Sequence, residues 1–231
     1  LRYKVAIRFA IEGDLRFISH RDTMRLFERA LARSRVPVKF SGGFNPKPRV
    51  SLPLPRSVGI ASDADLAVFE LSEPMDAEDV RRRLEPQMPE GLGLREAWPV
   101  TSGGTVQPCE VEYSVDLSAE SAIRAAAQAA ALMAEHHWCI ERDPNGGKAG
   151  RTIDLRALLV QLGVDGHTLH WKVRVDPKGG ARPAEILTAL GLDASSWLHR
   201  VRRTRVAWID RDPLQSGASE PSSDEADRPL A

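Results

Sequence analysis

The apolar positions of the first hundred residues change period several times, and each change marks an element. Residues 2–9 alternate, with Tyr3, Val5, Ile7 and Phe9 on one side, which predicts a half-buried strand. Glu12-Gly13-Asp14 is a turn, and Ser19 with Asp22 three residues on fits a capping box. The spacing of Phe27, Ala30, Leu31 and Ser34 then predicts a helix to about Arg35, which Pro37 closes. Residues 36–40 read as a short strand. The Gly/Pro loop 41–48 leads into a strand at 49–54, and 64–71 is a further apolar strand. A helix over 77–87 and a strand over 92–100 complete the set. The order β-α-β-β-α-β is the split pattern of a ferredoxin-like α/β plait.

After the linker 101–104 a similar order recurs. Residues 109–117 alternate as a strand, Ser118 caps an alanine-rich helix to about His136, and 138–142 is a strand followed by a turn at 143–147. Residues 152–159 fit either a strand or a short helix. A strand at 169–175, a helix at 183–190 with Pro183 in its first turn, and a long strand at 198–209 follow. The expected fold is therefore α+β: two plait modules in tandem, spanning 1–100 and 105–210, the second with an insertion. The tail from 211 to 231 is rich in Ser, Pro, Asp and Glu and is expected to be disordered.

Charge changes the picture. The 231 residues carry 32 Lys and Arg against 32 Asp and Glu. Residues 1–60, however, hold thirteen basic residues against four acids, a net of +9, and 61–100 hold four against ten, a net of −6. One surface can attract polyanions while the whole chain is neutral. No apolar run approaches the roughly 20 residues of a membrane span, and no leader pattern opens the chain, so a cytoplasmic protein without membrane contact is expected. Cys109 and Cys139 are far apart and lack CxxC spacing, which encodes neither a disulfide scaffold nor a metal site. No cofactor is expected.

Arg21, Arg25, Arg29 and Arg33 recur every fourth residue and so lie along one drifting stripe of the first helix. Such a stripe repels itself unless a polyanion is present, or else it is a solvated face of snorkelling side chains. The loop beyond it offers Gly42, Gly43, Phe44, Asn45, Lys47 and Arg49: glycine backbone for close approach, an aromatic to stack a base, and two cations. Its prolines equally suit a plain stiff turn. Neither GxxxxGK[ST] nor GxGxxG is present. His20, at the helix start, is a candidate general base for RNA chemistry, with no partner acid at fixed spacing. His136, His137, His167 and His170 form no metal spacing and read as surface or packing residues. Asp154 is placed to pair with Arg151 or Arg156. On the last strand, alternation puts Arg200 and Arg202 on one face and Arg203 and Arg205 on the other, so one of these faces meets solvent or a ligand.

The runs Leu15-Arg16-Phe17-Ile18-Ser19-His20-Arg21-Asp22, Arg25-Leu26-Phe27-Glu28-Arg29-Ala30-Leu31 and Ser41-Gly42-Gly43-Phe44-Asn45-Pro46 resemble the radical-SAM-linked domain-of-unknown-function family. So do Ile153-Asp154-Leu155-Arg156 and Arg182-Pro183. The similarity spans roughly residues 2 to 210. It implies a partner of radical S-adenosylmethionine enzymes, or a stand-alone protein encoded near RNA-processing ribonucleases, with a radical SAM enzyme or a ribonuclease as partner in trans. It also implies Ser19, His20, Asp22, Arg25, Arg29, Gly43, Phe44, Asn45 and Pro46 as functional positions. Lys47 stands where many relatives carry histidine, and no CxxxCxxC is present to hold a radical cluster. The expected function is a non-catalytic RNA-binding or substrate-presenting module. The alternatives are a metal-independent RNA-acting enzyme using His20 and an adaptor for an acidic protein.

Overall fold

The computed structural model describes residues 3–100, 106–142, 150–176 and 179–209. The linker 101–104, the turn 143–147 and the tail 211–231 lie outside the described residues. The chain folds as mixed α+β around a nine-stranded, mostly antiparallel sheet. In the first half, β1 (Tyr3–Ile11) is flanked by β3 (Ala61–Leu71) and β4 (Leu92–Pro99), and the two-residue β2 (Val50–Ser51) pairs with β3, giving the order β2-β3-β1-β4. Helices α1 (His20–Ser34) and α2 (Ala77–Leu84) connect them. In the second half, β5 (Pro108–Asp116) leads through α3 (Ala119–Ala134) to the separate hairpin β6 (Cys139–Arg142) and β7 (Arg151–Asp154). There follow α4 (Leu155–Leu158), β8 (Leu159–Asp165), β9 (Thr168–Asp176), β10 (Gly179–Gly180), α5 (Pro183–Ala189), α6 (Ala194–Trp197) and β11 (Arg202–Trp208). Their order is β8-β9-β5-β11, with β10 also on β9.

Among the described residues the strands of the two halves pair at one short parallel contact: β11 lies beside β3 with Arg202 opposite Ala61 and Arg203 opposite Ser62. Two residue pairs are a short ladder, so side chains must hold the seam. Arg202 meets Asp63 at 2.5 Å and Glu12 at 3.2 Å. Arg203, 2% exposed, meets Asp65 at 2.8 Å. Neighbouring residues of β11 thus grip two acids of β3, in the stretch where the register of β3 against β1 shifts between Asp65 and Ser62.

Alternation along β1 explains the cores. Val5, Ile7, Phe9 and Ile11 join Ala67, Phe69 and Leu71 of β3 under α1 and α2, with Phe27 of α1 5.0 Å from the Phe9 ring. Ala6, Leu66, Val68 and Trp98 point the other way, into the core of the second half with Trp171, Tyr113 and the alanines of α3. The first sheet is therefore buried on both faces, which is why 64–71 reads as an almost unbroken apolar run.

Several expectations need correcting. Residues 36–40 make only isolated bridges, Val38 to Leu71 and Phe40 to Pro48, and the strand at 49–54 shrinks to β2. Pro37, Pro46, Pro48 and Pro53 remove ladder donors along this stretch. The ambiguous 152–159 is both elements in turn, β7 then α4, and β8 follows unforeseen. The expected strand at 198–209 starts only at Arg202, after α6 and a 3-10 turn at Leu198–Arg200. A register shift between Arg203 and Arg205 then breaks the simple alternation, and Arg202, Arg203 and Arg205 all meet carboxylates, Arg205 that of Glu112.

Gly91, at φ +85°, sets the entry to β4: its carbonyl accepts from the Glu12 N–H at 2.9 Å, and an added Cβ would lie 2.8 Å from the Glu12 carbonyl oxygen. Gly91→Ala is expected to cost about 1–3 kcal/mol in urea denaturation, from backbone strain and overlap.

Candidate anion-binding groove

Helix α1 begins where Ser19 caps it. The hydroxyl accepts from the Asp22 N–H at 3.1 Å and donates to the Asp22 carboxylate at 2.7 Å. That hydroxyl, and after it the Arg25 guanidinium, holds the Asp22 carboxyl below its usual range. Ser19 and Asp22 thus serve the helix start. Thr23, Phe27, Ala30, Leu31 and Ser34 are the buried face. At 100° per residue, Arg25 and Arg29 fall on the side away from it, with Arg21 and Arg33 drifting to either flank.

On the Arg33 flank a groove of about 530 Å³ opens between α1 and the segment ahead of β4. Arg25, Arg29 and Arg33 line it together with aliphatic Leu15, Ile18, Leu26 and Met88. Arg33 donates to the Gln87 side chain at 3.1 Å and to its backbone carbonyl at 3.2 Å, a neutral anchor that fixes the guanidinium without cancelling its charge. Arg25 meets Asp22 at 3.1 Å, with both side chains about half exposed. Among the described residues, Arg21 and Arg29 have no ion pair or hydrogen bond from their side chains. Three guanidiniums therefore share one carboxylate beside an apolar floor. Gln87 and Met88 lie in no motif that could have flagged them, and Leu15 and Ile18 stand in the family-like run ahead of α1 without any signal that they line a groove; only the fold brings the four to the stripe.

The Gly/Pro loop does not line this groove. It is a closed hairpin: the Ser41 N–H donates to the Lys47 carbonyl at 2.8 Å, and the Lys47 N–H to the Ser41 hydroxyl at 3.0 Å. Lys39 and Arg49 both bind Glu70, each at 3.2 Å. Partial burial works against ionisation of Glu70, but Lys39 and then Arg49 hold its carboxyl below the usual range. Arg49 is thus already matched. Gly42, Gly43 (φ +109°), Phe44 and Asn45 form an exposed tip, with Phe44 fully in solvent. The loop feeds β2, at one end of the order β2-β3-β1-β4, whereas Met88 and Pro89 feed β4 at the other. Loop and groove flank α1 on opposite sides, so the single converged site expected from sequence is not formed.

His20 also faces away from the groove. It lines a small cavity with Phe9, Thr23, Leu54, Arg56 and Asp65. The Asp65 carboxylate there is already bound by the Ser62 hydroxyl (2.6 Å) and Arg203 (2.8 Å), with the Arg56 Nε 3.4 Å away. Sequence reasoning missed this buried cluster, although the alternation on β11 had marked Arg203.

In the second half, Asp154 pairs with neither Arg151 nor the Arg156 side chain. It binds His137 Nδ1 at 2.7 Å and accepts the Trp138 and Arg156 N–H groups, each at 3.0 Å, locking the β6–β7 hairpin to α4. His137 first, then the Trp138 N–H, bring the Asp154 carboxyl down to about 2. Because the folded value lies below the unfolded one, its stabilising effect is full above the ordinary carboxylate range and is lost as pH falls toward 2. A carbon-detected NMR titration should place the midpoint near 2, and His137→Ala should move it up toward roughly 3.9.

No helix among the described residues is long and apolar enough to cross a membrane. The family model described as "Uncharacterized protein conserved in bacteria (DUF2344)" matches residues 4–183. No curated protein matches the chain.

Proposed function

The chain belongs to the DUF2344 family, and on that premise we propose that α1 binds RNA through its arginine groove and presents it to a processing or modifying enzyme. The observation that carries this reading is the charge imbalance: Arg25, Arg29 and Arg33 line one groove with Asp22 as the only carboxylate among its lining residues. Successive arginines are about 6 Å apart along the axis, from a rise of about 1.5 Å per residue. That regular row suits a chain of closely spaced phosphates, whose released counterions would drive binding. The aliphatic floor would cover sugar and base edges of a single strand. Arg21 and the exposed Phe44 lie on the other flank and extend the surface a longer strand would cross. The tandem-plait arrangement belongs to this reading too: each half runs in the order 2-3-1-4, and the second half's hairpin and α4 are the insertion. A radical SAM enzyme or ribonuclease in trans would act on the presented RNA.

The aliphatic floor favours a second reading, in which an acidic amphipathic protein segment fills the groove. Direct titration separates the two. A short single-stranded RNA is expected to bind with Kd of about 1 μM or tighter at low salt. Polyglutamate of equal charge should bind at least tenfold more weakly. Equal binding of both would favour the protein partner, and no RNA binding would end the RNA reading. RNA cleavage in chelator that depends on His20 would instead revive the enzyme.

A further inference from the structure

A second cationic site lies on the seam between the halves and shares no lining residue with the α1 groove. A cleft of about 790 Å³ opens between the 53–57 segment of the first half and strands β5, β9 and β10 of the second. This is within the size range of small-molecule pockets. Its lining includes Arg56, Arg142, Arg182 and Arg203 and, among the described residues, no carboxylate. Arg142 is neutralised from behind by a bidentate bond to Glu185, with both contacts at 2.6 Å. Arg182 is exposed, and its side chain has no partner among the described residues.

The decisive feature is Asp65. It is the single carboxylate for two buried guanidiniums, Arg203 at 2.8 Å and Arg56 at 3.4 Å, whose side chains are 3% and 5% exposed. Arg203 uses its remaining terminal donors on the Leu54 and Pro55 carbonyls and the Tyr113 hydroxyl. Arg56 uses Nη1 on the Arg16 and Ile60 carbonyls. The Nε atoms of both are buried without a hydrogen-bond partner. One surplus positive charge is thus held out of water at the wall of an open cleft. Burial lowers the pKa of Arg56 from its ordinary value, the effect expected when solvation is lost and the compensating carboxylate is shared. The lining continues with Val173, Val175 and Tyr113, whose ring lies beside Arg203 and stacks on Trp171 at 5.3 Å.

We infer that this cleft binds a small organic anion, its phosphate or carboxylate compensating the Arg56–Arg203 surplus and its apolar body lying against Tyr113 and the valines. Nothing in this inference depends on the α1 groove.

The test uses the full chain, with phenyl phosphate and benzoate as probes and benzyl alcohol as the neutral control. Isothermal titration is expected to show one site for at least one anion, at least tenfold tighter than for the alcohol. Which anion wins distinguishes a phosphate ligand from a carboxylate ligand. Arg56→Met leaves Arg203 and Asp65 balanced and should weaken the anion at least tenfold; Arg182→Ala, at an exposed position, should weaken it severalfold. Should Arg56→Met fail to fold, amide shift mapping on the unaltered protein decides. Shifts at Tyr113, Gly179, Gly180 and Arg203 support the site. Shifts confined to α1, or equal affinity for anion and alcohol, overturn it.

Discussion

Asp65→Ala is expected to destabilise the protein by about 3–5 kcal/mol, the usual cost of removing one partner from a buried ion pair. The effect should sit at the top of that range, because the substitution strands two guanidiniums in the core, where Asp65 is 7% exposed and Arg203 2%. Arg203 also holds the 53–57 segment through the Leu54 and Pro55 carbonyls, so losing its counter-charge loosens the wall of the cleft as well as the seam. Against a typical domain stability of about 5–15 kcal/mol this is a large share. Urea denaturation should show a lower midpoint, and a fall in slope would report partial unfolding at the β3–β11 seam. Replacing all three members with apolar residues, Arg56→Met, Asp65→Leu and Arg203→Met, should cost far less, since no unpaired charge remains. A loss below about 1 kcal/mol for Asp65→Ala would mean that the network does not hold the halves together.

That network shows where sequence was informative and where it was not. Elements with strong periodicity were legible: β1, α1 with its Ser19 cap, β3 and α2 occur in the order the pattern predicts. The apolar run of β3 read only as a further strand; that it is buried on both faces, with the second half supplying one covering core, emerges from the fold. Strands β8 and β10 were not legible, because β8 alternates weakly and β10 is two glycines. The candidate site divided in the same way. Fourfold spacing correctly placed Arg21, Arg25, Arg29 and Arg33 along one helix, since helical geometry is local. The association of that stripe with Gly43, Phe44 and Lys47 rested on closeness in sequence, and strand order overrides sequence distance: β2 and β4 lie on opposite edges of the first four-strand set. Charge counting likewise could not reveal that Lys39 and Arg49 are matched by Glu70 whereas Arg29 is not. Ion pairing across strands is set by register, which composition does not encode.

The second large effect concerns the groove. Arg25→Gln, Arg29→Gln and Arg33→Gln together keep helix propensity and leave the buried face of α1 untouched, so stability should change by no more than about 0.5 kcal/mol per site. At about 1 kcal/mol for each lost phosphate contact, RNA affinity at low salt should fall about a hundredfold. Arg49→Gln, whose charge Glu70 already balances, should weaken binding only slightly. His20→Ala should leave it unchanged if the fold is intact, since His20 lines the cavity beside Arg56 and Asp65.

The salt dependence of RNA affinity tests the groove most directly. Fluorescence anisotropy of a short single-stranded RNA between about 50 and 200 mM salt gives the slope of log K against log salt, at about 0.7 per phosphate neutralised on a single strand. The slope of the unaltered protein should exceed that of the triple glutamine variant by about 2, the contribution of three phosphates. Equal slopes for the two proteins would mean that Arg25, Arg29 and Arg33 touch no phosphate, contradicting RNA binding at α1.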